Sequence, residues 1–170
     1  MAETVTMHGQ KLELDGKRPK VGDQAPDFRV VDRDLKEVVF SQLPQVGVYV
    51  LSAVPSLDTP VCNMETRRFS KEAEKLGKSV GIITVSMDLP FAQARWCGAA
   101  GVENISVYSD HRDASFGKAY GVLITALRLL SRTIFIVDKQ RRISYIEDTN
   151  EITNEPNYDR VLEALAKLRT

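Results

Sequence analysis

The sequence predicts an α/β fold in which helices flank a mixed central sheet. Short apolar runs such as Val48–Val54 and Val80–Ser86 are continuous rather than alternating, which is typical of strands covered on both faces. These runs alternate along the chain with segments of helical pattern. A late strand pair, Thr133–Val137 and Ile143–Ile146, is joined by the turn Asp138-Lys-Gln-Arg141. Together these observations indicate an α/β sandwich around a mixed sheet.

The individual elements follow in chain order. A small hairpin of Val5–Met7 and Lys11–Leu14 around His8-Gly9-Gln10 opens the chain, and the polar stretch Asp15–Gly22 connects it to the main domain. The further predicted strands are Phe28–Val31, Val38–Phe40, Val46–Val54, Val80–Ser86, Ile105–Tyr108, Thr133–Val137 and Ile143–Ile146. The predicted helices are Pro60–Leu76, Pro90–Gly98, Ala114–Tyr120 and Pro156–Arg169, the last with Val161, Leu162, Leu165 and Leu168 on one face. This order fits a thioredoxin-like fold with an N-terminal β-hairpin.

Length and composition predict one domain over residues 1–170, with residues 1–17 as the hairpin extension. The 43% hydrophobic content is ordinary for a globular chain, and the 23 basic residues balance the 23 acidic ones. No basic block suggests nucleic acid or an anionic membrane as a partner. No apolar run approaches the roughly 18 residues that span a bilayer, and no signal-like segment opens the chain. We therefore expect a cytoplasmic protein, in which two cysteines are reactive or buried rather than a permanent staple.

Cys62 stands at the predicted start of a helix, directly after a buried strand. Thr59 suits the N-cap, where its hydroxyl would accept the N–H of the third helical residue, and Pro60 suits the first position. Cys62 is then that third residue, and the positive end of the helix macrodipole favours its thiolate. A nearby cation would favour the thiolate further, and spacing alone cannot choose among Arg67, Arg68, Arg95 and Arg132.

Other cysteine chemistry fits less well. Dithiol exchange of the thioredoxin type needs a CxxC motif, but Thr59 and Glu65 occupy the positions three residues either side of Cys62. A zinc site needs about four ligands, and the two cysteines with His8 and His111 include no closely spaced pair. A cysteine hydrolase could pair Cys62 with His111, although the sequence around His111 is typical of a solvated turn. Cys97, next to Trp96, could be simple core packing.

Several segments resemble one protein family. The pattern PxxxTxxC, with Pro55, Thr59 and Cys62, resembles the active-site motif of the peroxiredoxins. Leu89–Gly98 resembles the resolving-cysteine segment of one subfamily, the bacterial thiol peroxidases, or atypical two-cysteine peroxiredoxins. Further segments with this resemblance, which covers nearly the whole chain, are Val5–Leu12, Tyr120–Ile124, Ser131–Asp138 and Glu151–Tyr158.

The resemblance implies a thiol-dependent peroxidase that reduces hydrogen peroxide and organic hydroperoxides. Cys62 would be the peroxidatic cysteine, becoming a sulfenic acid, and Cys97 the resolving cysteine that closes an intramolecular disulfide. By analogy with the family, Thr59 would hydrogen-bond the thiolate and the peroxide, Arg132 would polarise both, and Pro55 would shield the site from water. The helix Phe91–Gly98, and the first turn that carries Cys62, are then expected to rearrange on oxidation.

The resemblance also implies the partners. Thioredoxin is the expected reductant and a homodimer the expected assembly, with no organic cofactor or metal because sulfur carries both electrons. Two alternatives stay open at this point. One is a non-enzymatic redox sensor that uses the same Cys62–Cys97 disulfide, and the other is a binding domain held by a static disulfide.

Overall fold

A seven-stranded mixed sheet forms the centre of the computed structural model, which describes residues 3–168. The strands are β1 (Thr4–Met7), β2 (Gln10–Asp15), β3 (Arg29–Val31), β4 (Glu37–Val39), β5 (Val48–Ala53), β6 (Val80–Ser86), β7 (Ser106–Ser109), β8 (Leu123–Ile124), β9 (Leu129–Leu130), β10 (Thr133–Val137) and β11 (Ile143–Asp148). The helices are α1 (Pro60–Leu76), α2 (Pro90–Ala100), α3 (Ser115–Ala119) and α4 (Tyr158–Leu168), with a 3₁₀ turn at Phe40–Gln42. The central sheet has the order β11-β10-β5-β6-β7-β3-β4, in which β5, β6 and β7 are parallel and the remaining neighbours antiparallel.

Each face of this sheet has its own apolar core. Along β5, Val48 and Val50 point to the core that also contains residues of α1, α2 and α4, among them Cys62 and Cys97. The alternate residues Tyr49, Leu51 and Ala53 point to the other core, which α3 and the 3₁₀ turn cover. Both faces are therefore buried, as the continuous apolar runs predicted.

The N-terminal hairpin is part of a second, four-stranded sheet of order β1-β2-β8-β9. Its inner side is apolar, with Val5, Leu14, Ile124 and Ile152 buried together. Strands β8 and β9 were not predicted, because two residues are too few to show a period. The hairpin thus pairs with β8, whose residues come 108 and 110 positions later in the chain.

The predicted fold class is confirmed, with differences at the ends of elements. The predicted strand Val46–Val54 is shorter, Val48–Ala53, and α2 continues to Ala100. The third helix does not include Ala114, whose φ of +49° lies in the left-handed region. The last helix begins at Tyr158 rather than Pro156, and the predicted end at Arg169 lies outside the described residues. None of the helices between residues 3 and 168 has the length and apolar character needed to cross a bilayer.

The register between β5 and β10 brings distant parts of the chain together. These strands are antiparallel, and Thr133 at the start of β10 lies opposite Ala53 at the end of β5. Arg132 therefore lies beside the Val54-Pro55 segment that leaves β5 and leads into α1.

Candidate active site

The first turn of α1 presents Cys62 as its third residue, as predicted. Thr59 takes the N-cap position with extended backbone, φ −93° and ψ 148°, and Pro60 begins the helix. The predicted capping bond is wrong, because the Thr59 hydroxyl makes no cap contact and instead donates to the Ser56 carbonyl at 2.9 Å. This bond closes the turn before the helix. The N–H groups of the first turn are left without a side-chain cap, so they can stabilise an anion at this place.

Cys62 is wholly buried and contacts a cation directly. Its side chain is 0% exposed, and Nη2 of Arg132 donates to its sulfur across 3.2 Å. The Cys62 carbonyl accepts a bond from the Thr66 hydroxyl one helical turn later. A cationic donor beside a sulfur at a helix N-terminus is the arrangement that favours a thiolate.

Arg132 holds this position because its guanidinium is anchored on two other sides. Nη1 lies 2.6 Å from Oε2 of Glu65, while Nε and Nη2 donate to the Ile152 carbonyl at 3.1 and 2.9 Å. Burial opposes the charge of Arg132, but the Glu65 carboxylate and then the Cys62 sulfur outweigh it and raise the pKa of Arg132. The group is a permanent cation at the sulfur.

Glu65 is a site residue that the sequence reasoning did not assign. It is 0% exposed, and besides Arg132 it accepts a bond from the Ser52 hydroxyl at 2.8 Å. Burial raises the pKa of Glu65, and Arg132 and Ser52 counteract this rise. Because guanidinium stays charged, the neighbouring carboxylate is needed as its counterion. The available signal was an acidic residue three positions after Cys62, on the face of α1 that also carries Phe69.

The other arginines considered as partners of Cys62 lie elsewhere. Arg67 is exposed, with Nε bonded to Asn63 and the guanidinium 5.8 Å from the Trp96 ring. Arg68 pairs with Glu72, and Arg95 is also exposed. The choice that spacing left open therefore falls on Arg132.

A pocket of about 250 Å³ adjoins the buried thiol and unites the remaining residues of the motif. Pro55 and Thr59 line it together with Arg132. Cys62 is not part of the lining but is hydrogen-bonded to Arg132, which is. The full lining is Met7, His8, Pro55, Thr59, Pro60, Val61, Arg132, Ile152 and Thr153. Most of these side chains are apolar, so the pocket combines an apolar wall with one cationic donor. The structure thus brings together four of the five predicted residues: Pro55, Thr59, Cys62 and Arg132.

Cys97 lies on α2 and does not line this pocket. It is 3% exposed, shares the apolar core of Cys62 and Trp96, and both cysteines are free thiols. Burial raises the pKa of the Cys97 thiol, which Arg33 only partly offsets. Cys97 is therefore a neutral thiol inside a helix.

The residues of the less favoured alternatives do not converge on the site. The hydrogen bonds of Cys62 run to Arg132 and Thr66, not to His111, which lies in the loop after β7 and bonds to Ser109. Within the described part of the chain, no three His, Cys, Asp or Glu side chains are grouped as a metal ion would require.

Comparison with known proteins places this geometry in a family. The model of the Redoxin family matches residues 20–162. A thiol peroxidase of Bacillus subtilis (strain 168) is 49% identical over 168 residues, which are 99% of each chain. A thiol peroxidase of Listeria innocua serovar 6a is 47% identical over 163 residues, 96% of this chain and 98% of that one.

Solved structures agree with the sequence relatives. A peroxiredoxin-like protein from Aquifex aeolicus superposes with a TM-score of 0.90 at 44% identity, covering 99% of this chain and 98% of that one. The fold is shared more widely, since Mycobacterium tuberculosis AhpC superposes with a TM-score of 0.76 at 24% identity, covering 91% and 95%. At this identity and coverage, the chain belongs to the redoxin family and, within it, to the thiol peroxidases.

Proposed function

We propose that this chain is a thiol-dependent peroxidase that reduces hydrogen peroxide and organic hydroperoxides, with Cys62 as the nucleophile. The observation that carries the proposal is the 3.2 Å contact between Arg132 Nη2 and Cys62 Sγ, at the N-terminus of α1 and next to a pocket. The membership among the thiol peroxidases supports it.

The first step breaks the O–O bond of the hydroperoxide. The Cys62 thiolate attacks the distal oxygen and becomes a sulfenic acid, while the proximal oxygen takes up a proton and leaves as water or an alcohol. Negative charge moves from sulfur to the leaving oxygen during this transfer. Arg132 and the uncapped N–H groups of the first turn are donors already in place where that charge develops.

Thr59 and Pro55 would shape the pocket around the peroxide. The Thr59 hydroxyl already donates to Ser56, so its free lone pairs can accept the O–H of a bound hydroperoxide. Pro55 is buried at the same wall and has no N–H to attract water. These roles hold the substrate in line with the buried sulfur.

The second step uses Cys97. Its thiol attacks the sulfur of the sulfenic acid, water leaves, and a Cys62–Cys97 disulfide forms. Both thiols lie in helices and share one apolar core, so we infer that α2 and the first turn of α1 open to let the sulfurs meet.

An external dithiol then reduces the disulfide: it is itself oxidised to a disulfide, and Cys62 and Cys97 return to thiols. By resemblance we expect this dithiol to be thioredoxin, the protein to be a homodimer, and its compartment to be the cytoplasm. Consumption of NADPH by thioredoxin and thioredoxin reductase in the presence of peroxide tests the reductant. Repeated turnover in this assay distinguishes an enzyme from a redox sensor that reacts only once.

The decisive experiment follows the two thiols directly. Reduced protein receives one equivalent of hydrogen peroxide, and its intact mass and free-thiol count are measured next to Cys62→Ser and Cys97→Ser variants. We expect an intramolecular disulfide in the parent, no reaction in Cys62→Ser, and a trapped sulfenic acid in Cys97→Ser. Thiols that persist for minutes in the parent would contradict the proposal.

A further inference from the structure

Glu151, in the loop between β11 and α4, binds the turn of the N-terminal hairpin with its carboxylate. Oε2 accepts from the Thr6 hydroxyl at 2.8 Å and from the Gly9 N–H at 3.1 Å, and Oε1 accepts from the His8 N–H at 3.0 Å. The Thr153 hydroxyl adds a bond of 2.8 Å to Oε1. These donors, the Gly9 N–H first among them, lower the pKa of Glu151 to about 2.

The hairpin turn has the geometry to present its N–H groups to this carboxylate. Met7 and Gln10 are paired, so the turn consists of His8 and Gly9 alone. Both have positive φ, +51° and +79°, as the tightest hairpin turns require. In this conformation, the two successive N–H groups point to the same carboxylate, one to each oxygen.

The backbone around Glu151 continues this connection to the active site. Thr6 donates to the Asn150 carbonyl at 2.8 Å and accepts from the Ile152 N–H at 2.9 Å, so the loop pairs with β1. The Ile152 side chain is 2% exposed in the core beneath the hairpin. Its carbonyl, fixed in this way, receives both Nε and Nη2 of Arg132.

Arg132 is consequently held between two anchors. On the side of α1, Glu65 accepts the hydrogen bond of Nη1. On the side of the hairpin, the Ile152 carbonyl accepts those of Nε and Nη2. The same Nη2 donates to Cys62. Without the Ile152 anchor, the guanidinium is free to turn about its contact with Glu65, and Nη2 loses its alignment with the sulfur.

We propose that Glu151 is a positioning residue for peroxide reduction, because it fixes the hairpin turn and the Ile152 carbonyl that aligns Arg132 with Cys62. The same bonds hold Met7 and His8 in the wall of the pocket. The N-terminal hairpin, which lies outside the central sheet, thereby completes the active site. This inference rests on the proposed function, since the reaction that Glu151 serves is the reaction of Cys62.

The test compares Glu151→Gln with Glu37→Gln, both in a Cys97→Ser background so that Cys62 is the one thiol. Glutamine keeps the shape of Glu151 but turns one acceptor oxygen into a donor that faces the N–H groups and hydroxyls of the hairpin. Glu37 is exposed on β4 at the far edge of the central sheet, so it controls for loss of one charge. Three quantities are measured: the pH profile of Cys62 alkylation by iodoacetamide, the second-order rate of sulfenic acid formation with hydrogen peroxide, and the melting temperature.

We expect the midpoint of the alkylation profile to move to higher pH by about one unit in Glu151→Gln, since the thiolate loses an aligned cation. The rate with peroxide should fall about 10- to 100-fold, as for a small misplacement of a catalytic group. Glu37→Gln should match the parent in all three measurements. A role of Glu151 in stability alone would lower the melting temperature and leave the alkylation midpoint where it is.

The outcomes separate this inference from the proposed function. If the parent reacts with peroxide and Glu151→Gln matches it in midpoint and rate, the inference is overturned and the function stands. If the parent does not react with peroxide, the proposed function fails, and the alkylation profile still reports whether Glu151 aligns Arg132. If Glu151→Gln does not fold, Thr6→Val decides in its place, because it removes one of the bonds and should move the midpoint in the same direction by less.

Discussion

Arg132 and Glu65 form an ion pair in which both side chains are buried, with Nη1 and Oε2 2.6 Å apart and exposed fractions of 2% and 0%. Glu65 lies on the same helix as Cys62, and Arg132 directly precedes β10, so the pair joins α1 to the central sheet. A buried pair adds little net stability compared with apolar packing, but removing one member leaves a buried charge uncompensated. Stability and reactivity should therefore depend on the same pair.

Replacing Glu65 by glutamine tests the contribution to stability. The variant keeps the volume and the bond to Ser52 but leaves the Arg132 guanidinium without its carboxylate counterion. We expect the free energy of unfolding to fall by about 3–5 kcal/mol, a large share of the stability of a domain of this size. Urea unfolding at pH 7, with the midpoint compared at an unchanged slope, measures this loss.

Glu72→Gln is the matched control on the same helix. Glu72 pairs with Arg68 at 3.5 Å and Lys75 at 3.6 Å, and both of these partners are open to solvent. Such surface pairs contribute little, so we expect a change within about 0.5 kcal/mol. Equal losses in the two variants would contradict a special role for the buried pair.

Replacing Arg132 by lysine separates the charge from the shape of the guanidinium. A single ammonium group cannot reach Glu65, the Ile152 carbonyl and the Cys62 sulfur together, whereas the planar fork does. We expect the second-order rate of Cys62 oxidation by hydrogen peroxide to fall about 10²- to 10³-fold, the usual cost of one oriented donor. Stopped-flow measurement with reduced protein gives this rate.

Arg67→Lys serves as the comparison for this prediction. Arg67 is exposed on α1 and contacts Asn63 and the face of Trp96 rather than Cys62. We expect its rate to stay within about twofold of the parent, because lysine keeps the positive charge and solvent screens an exposed charge from the active site. A larger loss in Arg67→Lys than in Arg132→Lys would mean that the contact at 3.2 Å does not control the reaction.

The sequence alone was enough to predict the sheet, the hairpin and the position of Cys62 in its helix, because each rests on a local pattern. Pro60 is such a signal, and so is the continuous apolar stretch of β5 before Pro55. The thiol at the third helical position follows from counting residues after the N-cap. These predictions needed no knowledge of which strands are neighbours.

The partners of Cys62 could not be predicted in this way. Arg132 is 70 residues from Cys62 in sequence, and the register of β5 with β10 closes that distance. The Ile152 carbonyl is a backbone group, so no side-chain pattern predicts that it accepts hydrogen bonds from Arg132. The predicted Thr59 cap bond is absent, and the hydroxyl instead donates to the Ser56 carbonyl three residues earlier, a local bond that no periodic pattern predicts.

A pH-dependent loss of stability is predicted at Asp110. This carboxylate is 2% exposed and accepts the N–H groups of Phe116 and Gly117 at 3.0 and 2.8 Å. Burial, only partly offset by these bonds, raises the pKa of Asp110 from 3.8 to about 6. The folded state therefore holds the proton more tightly than the unfolded chain, so its stabilising effect is complete below pH 3.8 and is lost as the pH rises through about 6.

Asp110→Asn removes this titration, and urea unfolding between pH 4 and pH 7 reveals it. We expect the stability of the parent to decline relative to the variant across this range, by at most about 3 kcal/mol, since each pKa unit is worth about 1.4 kcal/mol. Asp34→Asn, an exposed position in the turn between β3 and β4, should follow the parent. Parallel curves for the parent and Asp110→Asn would show that Asp110 is ionised at the same pH in both states.

Oxidation should loosen α2 beyond Gln93, while the helix up to Gln93 stays fixed. The Gln93 amide donates to Ser86 and to the Tyr108 carbonyl at 3.0 and 2.7 Å, which ties the first turns to the sheet. Beyond it, Trp96 is buried with an indole N–H that has no partner among the described residues, so leaving the core gives this donor access to water. Cys97 must leave with it for the two sulfurs to bond, because a disulfide brings Cα atoms within about 4.4–6.8 Å.

Amide exchange of the reduced and oxidised protein measures this change. Protection over residues 94–100 should be lost after oxidation, with α4 unchanged as the internal reference. Equal protection of that segment in both forms would contradict the opening of α2.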